Sequence, residues 1–443
     1  MNNRTLEGSR NRLPGIRIPF FKEYGETDRI FAVLYLFVGY GFIYICSSQN
    51  FERNLAIFTA CYAAVVLSYL KRKKICPPGE SWFWLTVMLA TGIPFAFWSM
   101  LDLLQVLALL AVAAYWTLSA SGRLLKDGRT SRWIFFDAWN AMAAVPLCNF
   151  GRQIHVLFPK KIQEEKKRAE GIGSIFLGIL LTIPVLVIIL PLLVRADAGF
   201  QQLAGCLADY LCEHLMTILI RMLFAVPVSF YLYGLVFGGI HKKNTDRFQE
   251  ERLVEAVECA RIIPDGAVCT ALTIICLIYC LFAGIQGNYL LSAFMGRLPE
   301  GFTYAEYARR GFFELCQIGA WNLIFSGGSG ILSKTDRREH KGLGFLTGCL
   351  AVLTLCLLAT AVSKMGMYIC VYGLTVYRIL PLVFMLWMGL VFVCVILHQS
   401  REFPIIRFCV MAGAVMFCMM CVFPVEHWTE LYNVWARAKG LIV

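Results

Sequence analysis

The stretch LTVYRILPLVFMLWMGLVFVCVIL, residues Leu374–Leu397, carries one charged side chain in 24 positions, and it decides the fold. About 20 mostly apolar residues in a helix cross the hydrocarbon core of a bilayer. Backbone groups in lipid must be bonded within a helix or a closed barrel, and unbroken apolarity without alternation favours the helix. The whole chain is 58% AVILMFWYC, against about 45–50% apolar residues in soluble domains.

Ten further stretches share this apolar character. They are Ile30–Ser48, Asn54–Leu70, Ser81–Trp98, Leu101–Ser119, Ile172–Val194, Leu215–Ile240, Ala267–Ile285, Gly311–Leu332, Leu343–Val362 and Phe403–Phe423. We therefore predict an all-α, polytopic integral membrane protein with about eleven transmembrane helices, accompanied by interfacial amphipathic helices.

Lysine and arginine residues concentrate in alternate loops. The basic loops are the N-terminal arm, Lys71–Lys74, Arg123–Arg132, Lys160–Arg168, Lys242–Arg252 and Lys334–Lys341. Positive residues stay on the cytoplasmic side of a membrane, so we expect a cytoplasmic N-terminus and, with an odd number of spans, an extracytoplasmic C-terminus. The net charge of +12 is then explained by orientation and by attraction to anionic lipid. The expected partners are the bilayer and an unknown ligand or protein, and nucleic acid is not expected.

The predicted spans and charged loops divide the chain into four parts. Residues 1–29 form a basic cytoplasmic arm, and residues 30–132 form a four-helix N-terminal membrane part. Residues 133–170 combine an inner interfacial segment with a charged linker, and residues 171–443 form a seven-helix membrane core.

Two segments outside the predicted spans have a mixed character. Trp133–Phe158 carries polar residues such as Asp137 and Asn140 between two basic clusters, which indicates an interfacial or re-entrant piece. Apolar residues at helical spacing predict a helix that lies in the outer membrane interface. These residues are Phe200, Leu203, Leu207 and Leu211.

The most unusual charged segment is Tyr304–Glu314, YAEYARRGFFE. On a helix, Glu306, Arg310 and Glu314 share one face at i, i+4 and i+8 and form an ion ladder, while Arg309 points elsewhere. One interpretation is an amphipathic entry to the eighth span with snorkelling arginines. The other is an outer charged vestibule for an anionic or zwitterionic group, since arginine binds carboxylate and phosphate in a bidentate manner.

Three residues near the start of the tenth span extend this outer charged cluster. They are Tyr372, Thr375 and Arg378. A charge four residues inside a span needs a partner, and we expect Arg378 to pair with Glu306, Glu314 or Asp209, unless it snorkels to the interface. Arg221, in the sixth span, is a second intramembrane charge, which either needs a partner within the membrane or snorkels to the outer leaflet and faces Glu213.

No pattern typical of catalysis, a cofactor or a metal site accompanies these charges. The six histidines are scattered without HxxxH or HExxH spacing, and we find no paired acids or Ser/Cys–His arrangement. We therefore expect no cofactor and no metal. Most cysteines lie inside apolar runs, where free cysteine behaves as a small hydrophobic residue.

Two motifs of this chain resemble those of an uncharacterised bacterial multi-pass membrane family, known as a domain of unknown function. The segment YAEYARRGFFEL, from Tyr304, resembles its signature, and YxxxYGLTxxR, from Tyr368, is similar to its second motif. Tyr432-Asn433-Val434 resembles a closing segment, whereas Lys364-Met365 stands where Arg-Met is usual. The resemblance runs from about residue 171, implies a bacterial cytoplasmic membrane protein, and supplies no activity.

Three classes of function remain open. A transporter or permease-like protein predicts a water-filled cavity lined by Arg221 or Arg378, although we see no inverted repeat. A membrane sensor or scaffold of the cell envelope predicts a closed helix bundle with ionisable groups at its rims. An integral membrane enzyme, which the absence of a catalytic pattern disfavours, predicts an interfacial pocket with converging carboxylates.

Overall fold

The structure is a computed structural model that describes residues 24–98, 102–126, 128–158, 198–245, 247–285, 303–334 and 341–442, with a few single positions besides. For residues 198–215 it describes the backbone alone. All but a few single positions of the predicted fifth span, Ile172–Val194, and residues 1–23 of the basic N-terminal arm lie outside the described residues.

The described residues form α-helices and no β-strand. The helices are α1 (Glu26–Cys46), α2 (Phe51–Arg72), α3 (Gly79–Gly92), α4 (Asp102–Ala120), α5 (Ile134–Trp139), α6 (Val145–Cys148), α7 (Arg152–Leu157), α8 (Ala198–His241), α9 (Glu250–Ala260), α10 (Asp265–Ile285), α11 (Tyr304–Leu332), α12 (Lys341–Tyr372), α13 (Val376–Ser400), α14 (Ile405–Val422) and α15 (Val425–Ala438). Proline occupies the N-cap of three of them, α3, α14 and α15, where its missing N–H costs no helical bond.

Eight helices of the described residues are long and apolar enough to cross a membrane, which confirms the all-α, multi-pass prediction. These are α1, α2, α4, the part of α8 from Met216, α10, α12, α13 and α14. The predicted third span is α3 followed by a 3₁₀ turn at Ile93–Ala96, where Pro94 interrupts the α-helix. The predicted eighth span is the long helix α11. The number of crossings therefore stays a prediction.

An N-terminal bundle is built from α1 to α8 around one apolar core. Its largest buried side chains include Trp116, Tyr69 and Phe237. Helix α8, which the sequence placed with the second membrane part, packs along α1. Gly39 permits this close approach, because a β-carbon there would lie 2.7 Å from the Ala225 carbonyl oxygen.

Polar contacts join three helix ends at one side of this bundle, which we call the Asp28 end. The buried Asp28 carboxylate accepts a hydrogen bond from Tyr69 Oη at 2.7 Å and pairs with Lys73 Nζ at 2.6 Å. His241 Nε2 lies 3.0 Å from the same carboxylate. The start of α1 and the ends of α2 and α8 therefore share one level, as alternating spans require.

The segment α5–α7 packs along α8, and the interfacial or re-entrant character of Trp133–Phe158 stays a prediction. Tyr231 Oη donates to the Met142 carbonyl at 2.6 Å, about halfway along the membrane part of α8. Asn149 then donates to the Lys243 carbonyl at the Asp28 end, and Gln153 bonds Ser229 deeper again. A π-helical turn at Asn140–Ala144 follows directly after α5.

A second bundle contains α10 to α14, and α14 joins it to α3. Arg407 at the start of α14 lies 2.8 Å from the Glu80 carboxylate, at the Asp28 end of α3. Trp98 Nε1 donates to the Cys421 carbonyl at 3.0 Å near the opposite ends of these helices. We call that opposite end, where α13 begins and α15 lies, the Arg378 end.

The expected interfacial helix over Phe200–Leu211 is not a separate helix. The backbone from Ala198 continues into the sixth span as the single helix α8, and the side chains of that stripe lie outside the described residues. Two other helices, α9 and α15, combine charged and apolar residues and follow or precede a membrane-length helix in the chain. Helix α9 has no buried residue.

Candidate functional site

Two separate segments of the sequence, one in α11 and one at the junction of α12 and α13, meet at the Arg378 end and form the Arg378 cluster. Its members share aromatic or cationic character and come from α11, α12 and the start of α13. They are Tyr304, Tyr307, Lys364, Tyr368, Tyr372 and Arg378. The turn between α12 and α13 is held by α15. The motif segments recognised in the sequence therefore share one location.

Lys364 is buried in the cluster beside the first turns of α11. Its ammonium lies 4.5 Å from the centre of the Tyr307 ring, where the ring quadrupole attracts a cation. Gly311 makes room for the lysine stem, because a β-carbon there would lie 2.7 Å from Lys364 Cδ. The Tyr307-xxx-Gly311 spacing thus forms a slot for one cationic side chain.

Arg378 bonds neutral groups in this structure. Its guanidinium donates to the Tyr372 carbonyl at 2.8 Å and also to the Gly373 carbonyl. It lies 4.2 Å from the Tyr368 ring centre and donates to the Tyr368 hydroxyl at 3.3 Å. A cation at the last carbonyls of a helix is favourable because those oxygens carry partial negative charge.

The predicted pairing of Arg378 with a glutamate of α11 is wrong. Within the described residues the guanidinium forms no ion pair with Glu306 or Glu314, because the carbonyls at the end of α12 are nearer. The side chain of Asp209, the third expected partner, lies outside the described residues.

The predicted ion ladder along α11 is reduced to one contact. Arg310 Nε lies 3.2 Å from Glu314 Oε1, and the two side chains are 60% and 59% exposed. Glu306 and Arg309 are exposed as well, and the Glu306 N–H donates to the N-cap oxygen of Thr303. An exposed pair of this kind contributes about 0–1 kcal/mol, so the ladder itself adds little to stability.

The turn that presents Arg378 depends on Gly373 and Asn433. Gly373 has φ +80°, a left-handed conformation that favours glycine. The Asn433 amide accepts from the Leu374 N–H and donates to the Leu374 carbonyl, both at 2.8 Å. Thr375 is extended and occupies the N-cap of α13 without a side-chain cap bond.

Arg221 lies apart from the cluster on α8. Its guanidinium stands 5.0 Å from the centre of the Tyr44 ring, near the end of α1. Its Nε is buried without a hydrogen-bond partner. The side chain of Glu213, the partner expected for a snorkelling Arg221, lies outside the described residues.

Sequence reasoning missed much of the cluster's aromatic lining. Tyr307, Tyr368 and Asn433 lay inside the motif segments, and Lys364 stood beside the second motif, but the sequence did not show which of these side chains meet. The usable signal was an intramembrane lysine, which needs both room and a favourable ring or charge beside it. On α11, Tyr307 supplies the ring and Gly311 supplies the room for Lys364.

A second group of buried polar residues lies at the Asp28 end, around helix α5. Asp137 is fully buried, and its Oδ1 accepts from the Leu125 N–H at 2.8 Å. Its Oδ2 has no hydrogen-bond partner. Burial, with a smaller contribution from Glu250, raises the pKa of the Asp137 carboxyl to about 7.

Two cavities accompany these groups. A cavity of about 440 Å³ between α3 and α14 is lined by apolar side chains and by Thr86 and Cys418. A cavity of about 770 Å³ at the Asp28 end lies between Gly122–Leu125, the Thr245–Gln249 loop and α9. Neither is lined by Arg221 or Arg378, so neither is the cavity that the transporter interpretation predicted. In the part of the chain that the structure describes, no three His, Cys, Asp or Glu residues gather as a metal site.

Comparison with known proteins assigns the chain to a family. Residues 83–442 match the family described as a domain of unknown function, DUF4153. The chain belongs to the DUF4153 family. No curated protein and no solved structure matches it.

The DUF4153 match is longer than the motifs suggested. It begins at residue 83, inside α3, whereas the motif resemblance began at about residue 171. The family region therefore includes most of the N-terminal bundle and the α3–α14 junction as well as the Arg378 cluster.

Proposed function

We propose that this DUF4153 protein is a permease-like protein of the bacterial cytoplasmic membrane whose Arg378 cluster receives the anionic group of a ligand. The N-terminus is cytoplasmic and the C-terminus is extracytoplasmic, so the cluster faces outward. Support for this orientation comes from the basic loops, since Lys73 and the Lys242–Lys243 loop lie at the Asp28 end and positive loops stay inside.

The observation that carries the proposal is the charge balance of Arg378. The guanidinium is half-buried and bonded to two carbonyls and a tyrosine hydroxyl, none of which neutralises its charge. A cation in a partly dehydrated place attracts an anion more strongly than one in water. Lys364, the other cation of the cluster, is already engaged by the Tyr307 ring and by the Glu314 carboxylate, so Arg378 is the group that attracts the anion. Tyr304 and Tyr372 supply an aromatic edge beside them.

Binding is tested with inorganic phosphate as the probe, on protein reconstituted in bilayer discs of zwitterionic lipid. Arg378→Gln should weaken phosphate binding by about tenfold or more, because a charge-assisted bond contributes about 1.5–3 kcal/mol. Arg309→Gln is the matched control, an exposed arginine at the same end of the molecule. Equal affinity of the two variants and the parent would refute the anion site.

Uptake separates the permease-like function from a second candidate, a sensor or scaffold of the cell envelope. The second candidate is favoured by the buried polar bonds that close the N-terminal bundle, such as Gln153 with Ser229 and Tyr62 with Thr117. Phosphate binding without uptake into proteoliposomes would favour the sensor or scaffold. Reporter fusions at Lys166 and after Val443 test the orientation and should report opposite sides.

A further inference from the structure

Helix α15 has three distinct faces, and one of them is apolar and uncovered. Val425, Thr429 and Ala436 are buried against the rest of the protein. Glu426, Glu430 and Arg437 follow the same spacing one position later and are exposed. The third face is formed by Trp428, Leu431 and Trp435, which are 54%, 50% and 51% exposed.

The apolar face follows from helical spacing. Positions 428, 431 and 435 stand at i, i+3 and i+7, which places them on one stripe. The buried residues and the charged residues occupy the other two sides of the same helix. If α15 only packed against the protein, its exposed surface would be polar throughout. Because the face with Trp428, Leu431 and Trp435 is apolar, it requires an apolar environment other than the protein itself.

The position of α15 identifies that environment. Helix α14, which is long and apolar enough to cross a membrane, ends at Val422, and α15 begins at Val425. The first residues of α15 are therefore at a membrane boundary. Three charged residues within its 14 positions exclude a crossing. Phe423 stacks on Trp428 with ring centres 5.7 Å apart, which extends the apolar face to the end of α14.

We infer that α15 lies along the bilayer surface at the Arg378 end, with Trp428, Leu431 and Trp435 in the lipid. Tryptophan and tyrosine are enriched at the level of the lipid headgroups, and amphipathic helices bury their apolar face there by about 5–10 Å. The charged face points to water, and the buried face holds the α12–α13 turn through Asn433. The lipid surface therefore holds α15 in place, and α15 in turn holds the turn at Gly373 that presents Arg378.

Photocrosslinking in bilayer discs tests this inference. A benzophenone amino acid replaces Leu431, and the matched positions are its neighbours Glu430 on the charged face and Thr429 on the buried face. Mass spectrometry should find lipid adducts at position 431 about tenfold above those at position 430, because only the apolar face enters the acyl region. Position 429 should instead crosslink within the chain.

Two outcomes would overturn the inference. One is a crosslink from position 431 to a second copy or to another protein, which would make the apolar face a protein interface. The other is an equal yield of lipid adducts at positions 430 and 431. Tryptophan quenching by brominated lipid provides an independent measurement. Trp428→Phe together with Trp435→Phe should reduce the quenched fluorescence, and an unchanged quenched signal would contradict a lipid-facing α15.

Discussion

The ion pair between Glu80 and Arg407 connects the two bundles, and its removal gives a measurable prediction. Glu80 is the more enclosed partner, since its side chain is 4% exposed and that of Arg407 is 33% exposed. The second oxygen of Glu80 accepts from the Thr130 N–H at 2.8 Å, so the carboxylate is fixed in place. Arg407→Ala would leave this carboxylate buried without its cation.

The size of the effect follows from the two exposures. Removing one partner of a fully buried pair costs about 3–5 kcal/mol, and an exposed pair contributes about 0–1 kcal/mol. Because water reaches Arg407, we expect Arg407→Ala to lower the free energy of unfolding by about 2–3 kcal/mol. Glu80→Gln keeps the acceptor for Thr130 and leaves a hydrated arginine, so it should cost only about 1 kcal/mol.

SDS titration of purified protein in mixed micelles, followed by circular dichroism, measures both variants and the Glu80→Gln/Arg407→Ala double variant. The double variant should be more stable than the sum of the single effects predicts, by about 1–2 kcal/mol, because the uncompensated charge is gone. Arg309→Ala serves as a control for loss of an exposed arginine. Effects that add within about 0.5 kcal/mol would show that the pair does not couple the bundles.

Three further predictions concern single residues. Gly373→Ala, at φ +80°, should cost about 2–3 kcal/mol from left-handed strain and a displaced turn, whereas Gly366→Ala, which meets open space, should not destabilise; SDS titration compares them. Gly39→Ala should cost about 1–3 kcal/mol by forcing α1 from α8, while Gly41→Ala, also in α1 but with open space, should be neutral or slightly stabilising. Asp137 has a pKa raised from 3.8 to about 7, so the folded state holds a proton that the unfolded state releases, and the free energy of unfolding should fall by up to about 4 kcal/mol as pH rises from about 4 to about 7. Asp137→Asn should remove this pH dependence, and an unchanged profile would contradict the raised pKa.

The sequence could predict those parts of the fold that depend on neighbouring residues. Apolar runs such as Leu374–Leu397 mark helices because each backbone bond of a helix is local. The alternation of basic loops also predicted which helix ends meet, since Asp28, Lys73 and His241 share one end. The polar residues of Trp133–Phe158 excluded a simple span for the same local reason.

The parts that depend on which helices lie side by side could not be predicted in this way. Hydropathy contains no information that α8 packs on α1, so the division at residue 171 does not describe the packing. The predicted partner of Arg378 was wrong for the same reason, because the sequence suggested a carboxylate on another helix. Carbonyls five and six residues away were available to it. An arginine just after a helix end finds unpaired carbonyls without any tertiary partner.

This local solution changes what the Arg378 cluster can do. A guanidinium neutralised by glutamate would have no remaining attraction for an anion, whereas one bonded to carbonyls keeps its full charge while its position is fixed. The fixing groups are the turn at Gly373 and, through Asn433, helix α15. If α15 lies in the lipid surface as we infer, the geometry of the cluster depends on the bilayer at that end. Anion binding at Arg378 should then weaken when Asn433→Ala removes both bonds to Leu374, although Asn433 lies on a different helix from every cation of the cluster.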